Sequence, residues 1–178
     1  MTIFVRVDQA EQRLCVLANA ACRRRTVRAL FRSVSRLGDG VVWYALMTVM
    51  PLLVGIDRLE YGLMVSAQML CAGGFGLLLY KILKKKLVRE RPFVGLIGIE
   101  CAMPPLDRYS FPSGHTLHAV LFTAIAISHV PPLAGLLVPF ALLVAASRVV
   151  LGLHYPTDVL AGATLGALIA AASEVIFW

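Results

Sequence analysis

Charge is what this sequence has least of. Only 15% of its 178 residues are Asp, Glu, Lys or Arg, against about 25% in an average soluble domain. Acidic side chains are the scarcer kind, 10 against 17 basic ones, which leaves a formal charge of +7. With 59% hydrophobic residues and a mean hydropathy of +0.80, the chain cannot build the water-exposed basic platform that nucleic acid requires, so no nucleic-acid partner is expected. The positive excess points instead to membrane topology or to an anionic substrate. Cysteine is also sparse: Cys15, Cys22, Cys71 and Cys101 form no CxxC pair, which excludes a zinc or disulfide framework and leaves structural thiols. A secretory leader is missing too. Arg6, Asp8, Glu11 and Arg13 interrupt any apolar core, so the mature chain is expected to begin near Met1.

Long apolar runs are what the sequence does have. Residues 1–40 form the one extended polar region, read as an arm: Leu14 to Cys22 is too short to span a bilayer. Arg23, Arg24, Arg25, Arg28, Arg32 and Arg36 then alternate at helical spacing with Val27, Leu30, Phe31, Val34 and Leu37. That pattern fits an amphipathic helix lying in the interface, and Gly38, Asp39 and Gly40 are expected to break it. Five apolar segments follow, near 41–56, 62–83, 114–130, 133–150 and 159–178. The fold class is therefore an all-α, multi-pass transmembrane bundle of about five spans, with residues 41–178 as its single domain. Gly162 and Gly166 form a GxxxG in the last segment, which permits close helix packing in lipid.

Ionisable residues at the ends of membrane helices are costly unless paired or functional, and here they fall into three clusters. Lys84, Lys85, Lys86, Arg89 and Arg91 precede Pro92; Pro112, Ser113, Gly114 and His115 open the third segment; Ser147, Arg148, His154 and Asp158 join the fourth to the fifth. Counting crossings puts all three on one face. Lys84 and Arg91 lie seven apart, two helical turns, and share a helix face if the second helix continues past the membrane. Ser113 and Gly114 offer backbone N–H groups at a helix N-terminus, where a phosphate binds well. His154 and Asp158 are an i, i+4 pair, close enough in a helix for a carboxylate to orient an imidazole, and Arg148 adds a permanently charged bidentate donor. Cations, a helix N-terminus, two histidines and a carboxylate suit phosphoryl transfer.

Lys84-x6-Arg91-Pro92, Pro112-Ser113-Gly114-His115 and Ser147-Arg148-x5-His154-x3-Asp158 resemble the three-part signature of the type 2 phosphatidic acid phosphatases, a superfamily that shares its site with acid phosphatases and vanadium haloperoxidases. The resemblance implies a membrane lipid phosphatase with no cofactor and no metal. It implies His154 as the nucleophile that becomes phosphohistidine, Asp158 as the group holding its ring, and His115 as the acid that protonates the leaving oxygen and then activates water. Lys84, Arg91 and Arg148, with Ser113 and the Gly114 backbone, would bind the nonbridging oxygens. The implied substrate is a lipid phosphate, such as phosphatidate, phosphatidylglycerophosphate or undecaprenyl diphosphate. A haloperoxidase of the same fold and a non-catalytic lipid-phosphate-binding membrane protein stand as alternatives. A metal hydrolase is disfavoured, because two histidines and one carboxylate at these spacings form no recognised cage.

Other polar residues are given quieter readings. Lys85, Lys86 and Arg89 are read as solvated groups facing lipid headgroups, His118 as a neighbour that tunes or packs, His129 as incidental, and Glu174, inside the last apolar segment, as reaching headgroups near the chain end. Tyr109 and Phe111 are candidates to line a lipid entrance. Sixteen of the 17 Lys and Arg residues fall on the site's face, Arg58 being the exception. The positive-inside rule then favours a cytoplasmic site, on the same face as the N-terminus, in the cell inner membrane. The oligomeric state is not legible in the sequence.

Overall fold

Gly114–His129 is the helix around which the chain is arranged. The computed structural model describes residues 3–178, and among these every regular element is helical. The α-helices are α1 (Ile3–Ala20), α2 (Arg25–Arg36), α3 (Val42–Val54), α4 (Leu59–Lys86), the short α5 (Pro92–Gly95), α6 (Gly114–His129), α7 (Ala134–Val150) and α8 (Pro156–Phe177). Four stretches, Arg25–Val54, Ile56–Lys86, Pro131–Val150 and Pro156–Phe177, are long and apolar enough to cross a membrane. The 16 residues of α6 are fewer than the roughly 20 a bilayer asks for. It is the central post of the bundle: Thr116, Leu117, Ala119, Leu121, Phe122, Thr123, Ile125 and Ala126 are all buried, against α8, α7 and α4. The five apolar segments are thus five helices.

The 13 residues of α3 reach spanning length only because the helical path continues back through α2. Gly38, Asp39 and Gly40 bend the chain where a full break was expected. They form one wide turn in which Asp39 leaves helical geometry (φ −86°, ψ 29°) and Gly40 takes φ 121°, a conformation open to glycine because it has no Cβ. Trp43 ties the bend by donating from Nε1 to the Gly38 carbonyl at 2.9 Å. Its indole packs at 5.6 Å from both Phe122 and Phe140, joining the bend to the core.

The closest packing is between α6 and α8. A Cβ on Gly162 would overlap the Ser113 carbonyl oxygen, and one on Gly166 would overlap that of Leu117, so only glycine lets these two backbones touch. The polar arm packs onto α7 and α8. Asn19 of α1 donates to the Glu100 and Val150 carbonyls and accepts from the Glu100 amide, which fastens the long loop 87–113 to the end of α7. At the far end of the bundle His129 meets Tyr61 at 2.8 Å and Gln68 at 3.1 Å. Glu174 there accepts from Ser128 at 2.8 Å. His129, read as incidental, and Glu174, read as reaching headgroups, therefore both belong to a polar clasp between α4, α6 and α8.

Candidate functional site

A cavity of about 340 Å³ opens beside the N-terminus of α6. Lys84, Arg91, Gly114, His115, Arg148 and His154 all line it, so residues from each of the three sequence clusters meet there. The cavity continues between α3 and α4, where Tyr44, Met47, Leu70, Gly74 and Leu77 give it an apolar wall. Leu106 and Asp107 close it on the loop side. Tyr109 and Phe111, expected at an entrance, do not line it; the loop turns its Leu106 side inward instead.

Lys84 and Arg91 do not converge by helical register. Helix α4 ends at Lys86, and Arg91 stands at the extended N-cap of α5. What unites the two is a carboxylate: Asp107 Oδ1 lies 2.5 Å from Lys84 Nζ and 2.7 Å from Arg91 Nη2. Burial alone would push Asp107 up, but the two cations outweigh it and hold the carboxyl below its ordinary range. Arg91 is 2% exposed, and its remaining nitrogens donate to the Asp107 and Leu153 carbonyls. Arg91 Nη1 also stands 3.3 Å from His154 Nε2.

His154 lies in the tight connection between α7 and α8, held by its amide on the Arg148 carbonyl at 3.0 Å. Its pairing with Asp158 is therefore not a helical i, i+4 contact. Asp158 is the third residue of α8 and closes a capping box, its Oδ2 accepting from the Tyr155 amide at 2.9 Å. The same oxygen lies 3.5 Å from His154 Nδ1, leaving Nε2 turned toward the cavity. Burial first, then Arg148, Arg91 and Lys84, push the His154 imidazole well below its ordinary value. Both causes favour the neutral form of the ring.

His115 projects from the first turn of α6, with Nε2 3.4 Å from Asp39 Oδ1. Arg148 is 3% exposed and donates from Nη1 to Ser35 of α2. Three buried nitrogens here, His115 Nε2, Arg148 Nε and His154 Nδ1, have no hydrogen-bond partner among the described residues. Buried donors are normally satisfied, and a ligand with several oxygens would answer two of them. Ser113 departs from its expected place. It is wholly buried as the N-cap of α6, its Oγ spent on the Thr116 amide and hydroxyl, so Gly114 and not Ser113 faces the cavity. His118 lines the wall and is held between the Gly114 and Gly73 carbonyls.

Three acidic residues and one arginine around this site went unread. Asp39 counted only as part of a helix break, Asp107 as loop, and Glu11 as an interruption of an apolar run. Arg89, expected in solvent with Lys85 and Lys86, instead donates from Nη1 to Asp158 Oδ1 at 2.7 Å and from Nη2 to Glu11. Lys85 and Lys86 are exposed as expected. The one available signal was scarcity, since four of only 10 acidic residues, Glu11, Asp39, Asp107 and Asp158, pair with the charged groups of this site. Among the described residues, no three His, Cys, Asp or Glu side chains are grouped as metal ligands.

Comparison with known proteins adds a family to this geometry. The profile of the PAP2 superfamily matches residues 61–178. Phosphatidylglycerophosphatase B of Bacillus subtilis is 37% identical over 115 residues, 57% of this chain, a match that spans about half (52%) of that protein. Decaprenylphosphoryl-5-phosphoribose phosphatase of Mycobacterium tuberculosis is 30% identical over 161 residues, 89% of this chain and 85% of the relative. Among solved structures, the transmembrane PAP2 type phosphatidylglycerolphosphate phosphatase of Bacillus subtilis superposes with a TM-score of 0.74 at 26% identity, covering 96% of this chain and 85% of that one. LpxE of Aquifex aeolicus gives 0.77 at 26% identity, covering 92% and 93%.

Proposed function

The chain belongs to the PAP2 superfamily, and from that premise we propose that it is a membrane lipid phosphatase, hydrolysing a phosphate monoester or diphosphate carried on a lipid through a phosphohistidine at His154. One observation carries the reading. A neutral, buried imidazole presents Nε2 to a cavity lined by Lys84, Arg91 and Arg148, and the cavity runs on into an apolar cleft between α3 and α4. The cavity of about 340 Å³, cleft included, takes a phosphorylated headgroup and the first part of a tail, the rest of which lies in the bilayer. Phosphatidate, phosphatidylglycerophosphate and polyprenyl diphosphates such as undecaprenyl diphosphate are the substrates proposed, and the names of the relatives point to the same lipid classes.

The reaction runs in two displacements. In the first, His154 Nε2 attacks phosphorus, the P–N bond forms as the P–O bond to the lipid breaks, and His115 delivers its proton to the departing oxygen. Asp158 takes the Nδ1 proton as a hydrogen bond and stabilises the imidazolium that develops. In the second, water attacks phosphorus, gives its proton to His115, and the P–N bond breaks to release inorganic phosphate. Lys84, Arg91, Arg148 and the α6 N-terminus at Gly114 face the nonbridging oxygens and offset the charge gathered in each transition state. Ser113 serves this arrangement by fixing the first turn of α6. The catalytic bundle comprises residues 41–178, and the arm of residues 1–40 braces it through Glu11, Ser35 and Asp39.

The same reading makes it a protein of the cell inner membrane with its site on the face of the N-terminal arm. The gathering of 16 of 17 Lys and Arg residues at that end supports the cytoplasmic side. Phosphate release from a panel of diacylglycerol and prenyl phosphates, by purified protein with EDTA present, tests the function. Release by the wild type and none by His154→Ala is the expected result. Release that EDTA abolishes, or that survives in His154→Ala, would overturn the mechanism.

A further inference from the structure

Asp158 is wholly buried, and a carboxylate in that position stays ionised only if something of opposite charge is built against it. The something is Arg89. Its Nη1 donates to Asp158 Oδ1 and to Thr157 Oγ1, each at 2.7 Å. Its Nη2 donates to Glu11 of α1, whose other oxygen accepts from Thr157 Oγ1 at 2.6 Å. The guanidinium lies over Tyr155, 3.9 Å from the ring centroid. Each of these contacts uses the planar fork, and Arg89 is fixed from three sides.

We infer that Arg89, oriented by Glu11, is a positioning residue for His154: it keeps Asp158 charged and aimed, so that Asp158 can hold the Nδ1 proton and leave Nε2 free to attack phosphorus. This rests on the function proposed above. The groups facing Asp158 are few. From α1 come Glu11 and Cys15, from the loop after α4 comes Arg89, from the loop before α6 comes the Ser110 hydroxyl, and on its own side lie His154 and Tyr155. Burial, with Glu11 and Asp158 nearby, pushes the Cys15 thiol up to about 12, so it stays neutral. Arg89 is the one cation in this set. Against the burial that disfavours its charge, Asp158 and Glu11 push Arg89 further up, so its charge is permanent.

The test is the pH profile of kcat/KM for phosphate release by the full-length protein in detergent. Removing an adjacent cation raises a carboxylate by about one to three pH units. Arg89→Gln is therefore expected to move the acid limb upward by at least about one unit, losing about tenfold or more at pH values below the limb and regaining it as pH rises. In an Asp158→Asn background, where no charge remains to be held, Arg89→Gln is expected to have no further effect. Arg89→Lys keeps the cation but cannot bridge Glu11 and Asp158; it should keep the wild-type acid limb with a kcat lowered severalfold. A profile parallel to wild type in Arg89→Gln, equal losses with and without Asp158, or a wild-type kcat in Arg89→Lys would each overturn the inference. Should Arg89→Gln fail to fold, the Arg89→Lys result decides alone. If the wild type releases no phosphate from any lipid, the proposed function falls and this inference with it. If the wild type is active, His154→Ala is dead and the Arg89 variants behave as wild type, only this inference falls.

Discussion

Gly162→Ala separates stability from catalysis in a way the packing of α6 on α8 makes quantitative. A Cβ at residue 162 would overlap the Ser113 carbonyl oxygen, with Ser113 C at 3.3 Å and the Leu117 amide nitrogen at 3.4 Å. Restoring ordinary contact distance requires the two backbones to part by roughly 1 Å. Ser113 cannot yield freely, because its amide donates to the Asp158 carbonyl at 3.0 Å, and it caps the helix that carries His115. A displacement of about 1 Å in a reacting group lowers rate on the order of a hundredfold. Gly166→Ala makes the same kind of overlap with Leu117, one turn further from the chemistry. Both variants should lose about 1–3 kcal/mol of stability through overpacking. Only Gly162→Ala should lose kcat by about two orders of magnitude, while Gly166→Ala loses severalfold. Thermal unfolding in detergent and phosphate-release kinetics read the two effects apart. Equal kcat losses in the two variants, or full activity in Gly162→Ala, would refute the reasoning.

Three further outcomes follow from the site. His154 is held well below its ordinary 6.5, so the folded protein excludes a proton that the unfolded chain accepts. Its share of stability is therefore complete above that pH and is lost as pH falls, by about 2 kcal/mol at pH 5. His154→Asn should flatten that part of a stability-versus-pH curve, and a curve as steep as wild type would deny it. Asp107 holds the two cations that the substrate phosphate needs, so Asp107→Asn should let inorganic phosphate inhibit at roughly tenfold lower concentration, about 1.4 kcal/mol; an unchanged inhibition constant would show that the carboxylate does not compete. Cys101 is exposed in the loop at the site's end of the bundle. With the site in the cytoplasm, an impermeant thiol reagent should modify it only after the cells are permeabilised, and rapid labelling of intact cells would place the site outside.

The residues that line the cavity were legible because they are chemically out of place. Lys84, Arg91, His115, Arg148 and His154 stand at the edges of apolar runs, where nothing but function or pairing accounts for them. The geometric reasons were less secure than the residues. Lys84 and Arg91 meet across Asp107 and not along a helix, because α4 stops at Lys86. His154 and Asp158 meet through a capping box and not an i, i+4 step, because Pro156 starts α8 after His154. The counter-ions stayed hidden for one physical reason. Asp39, Asp107 and Arg89 owe their places to a bend at Gly40 and to the course of loop 87–113, and Glu11 to the docking of α1 on α7 and α8, none of which has a periodicity from which position can be read. Ser113 stands behind the cavity as the cap of α6, a place hard to foresee because a serine ahead of a helix serves equally as a cap and as a ligand.

The bend at Gly38–Gly40 has a consequence for what counts as the smallest working unit. The superfamily match begins at Tyr61, and everything assigned to react with phosphorus lies beyond that point. Yet Asp39 beside His115, Ser35 against Arg148 and Glu11 against Arg89 all come from ahead of it. A fragment starting at Tyr61 would keep every reacting atom and lose two of the anions that balance them. The matched portion of the chain thus holds the reacting groups, and the portion ahead of it supplies two of their counter-ions. Exchanging that leading portion between relatives is a direct route to altering proton handling and anion affinity while leaving the reaction itself intact.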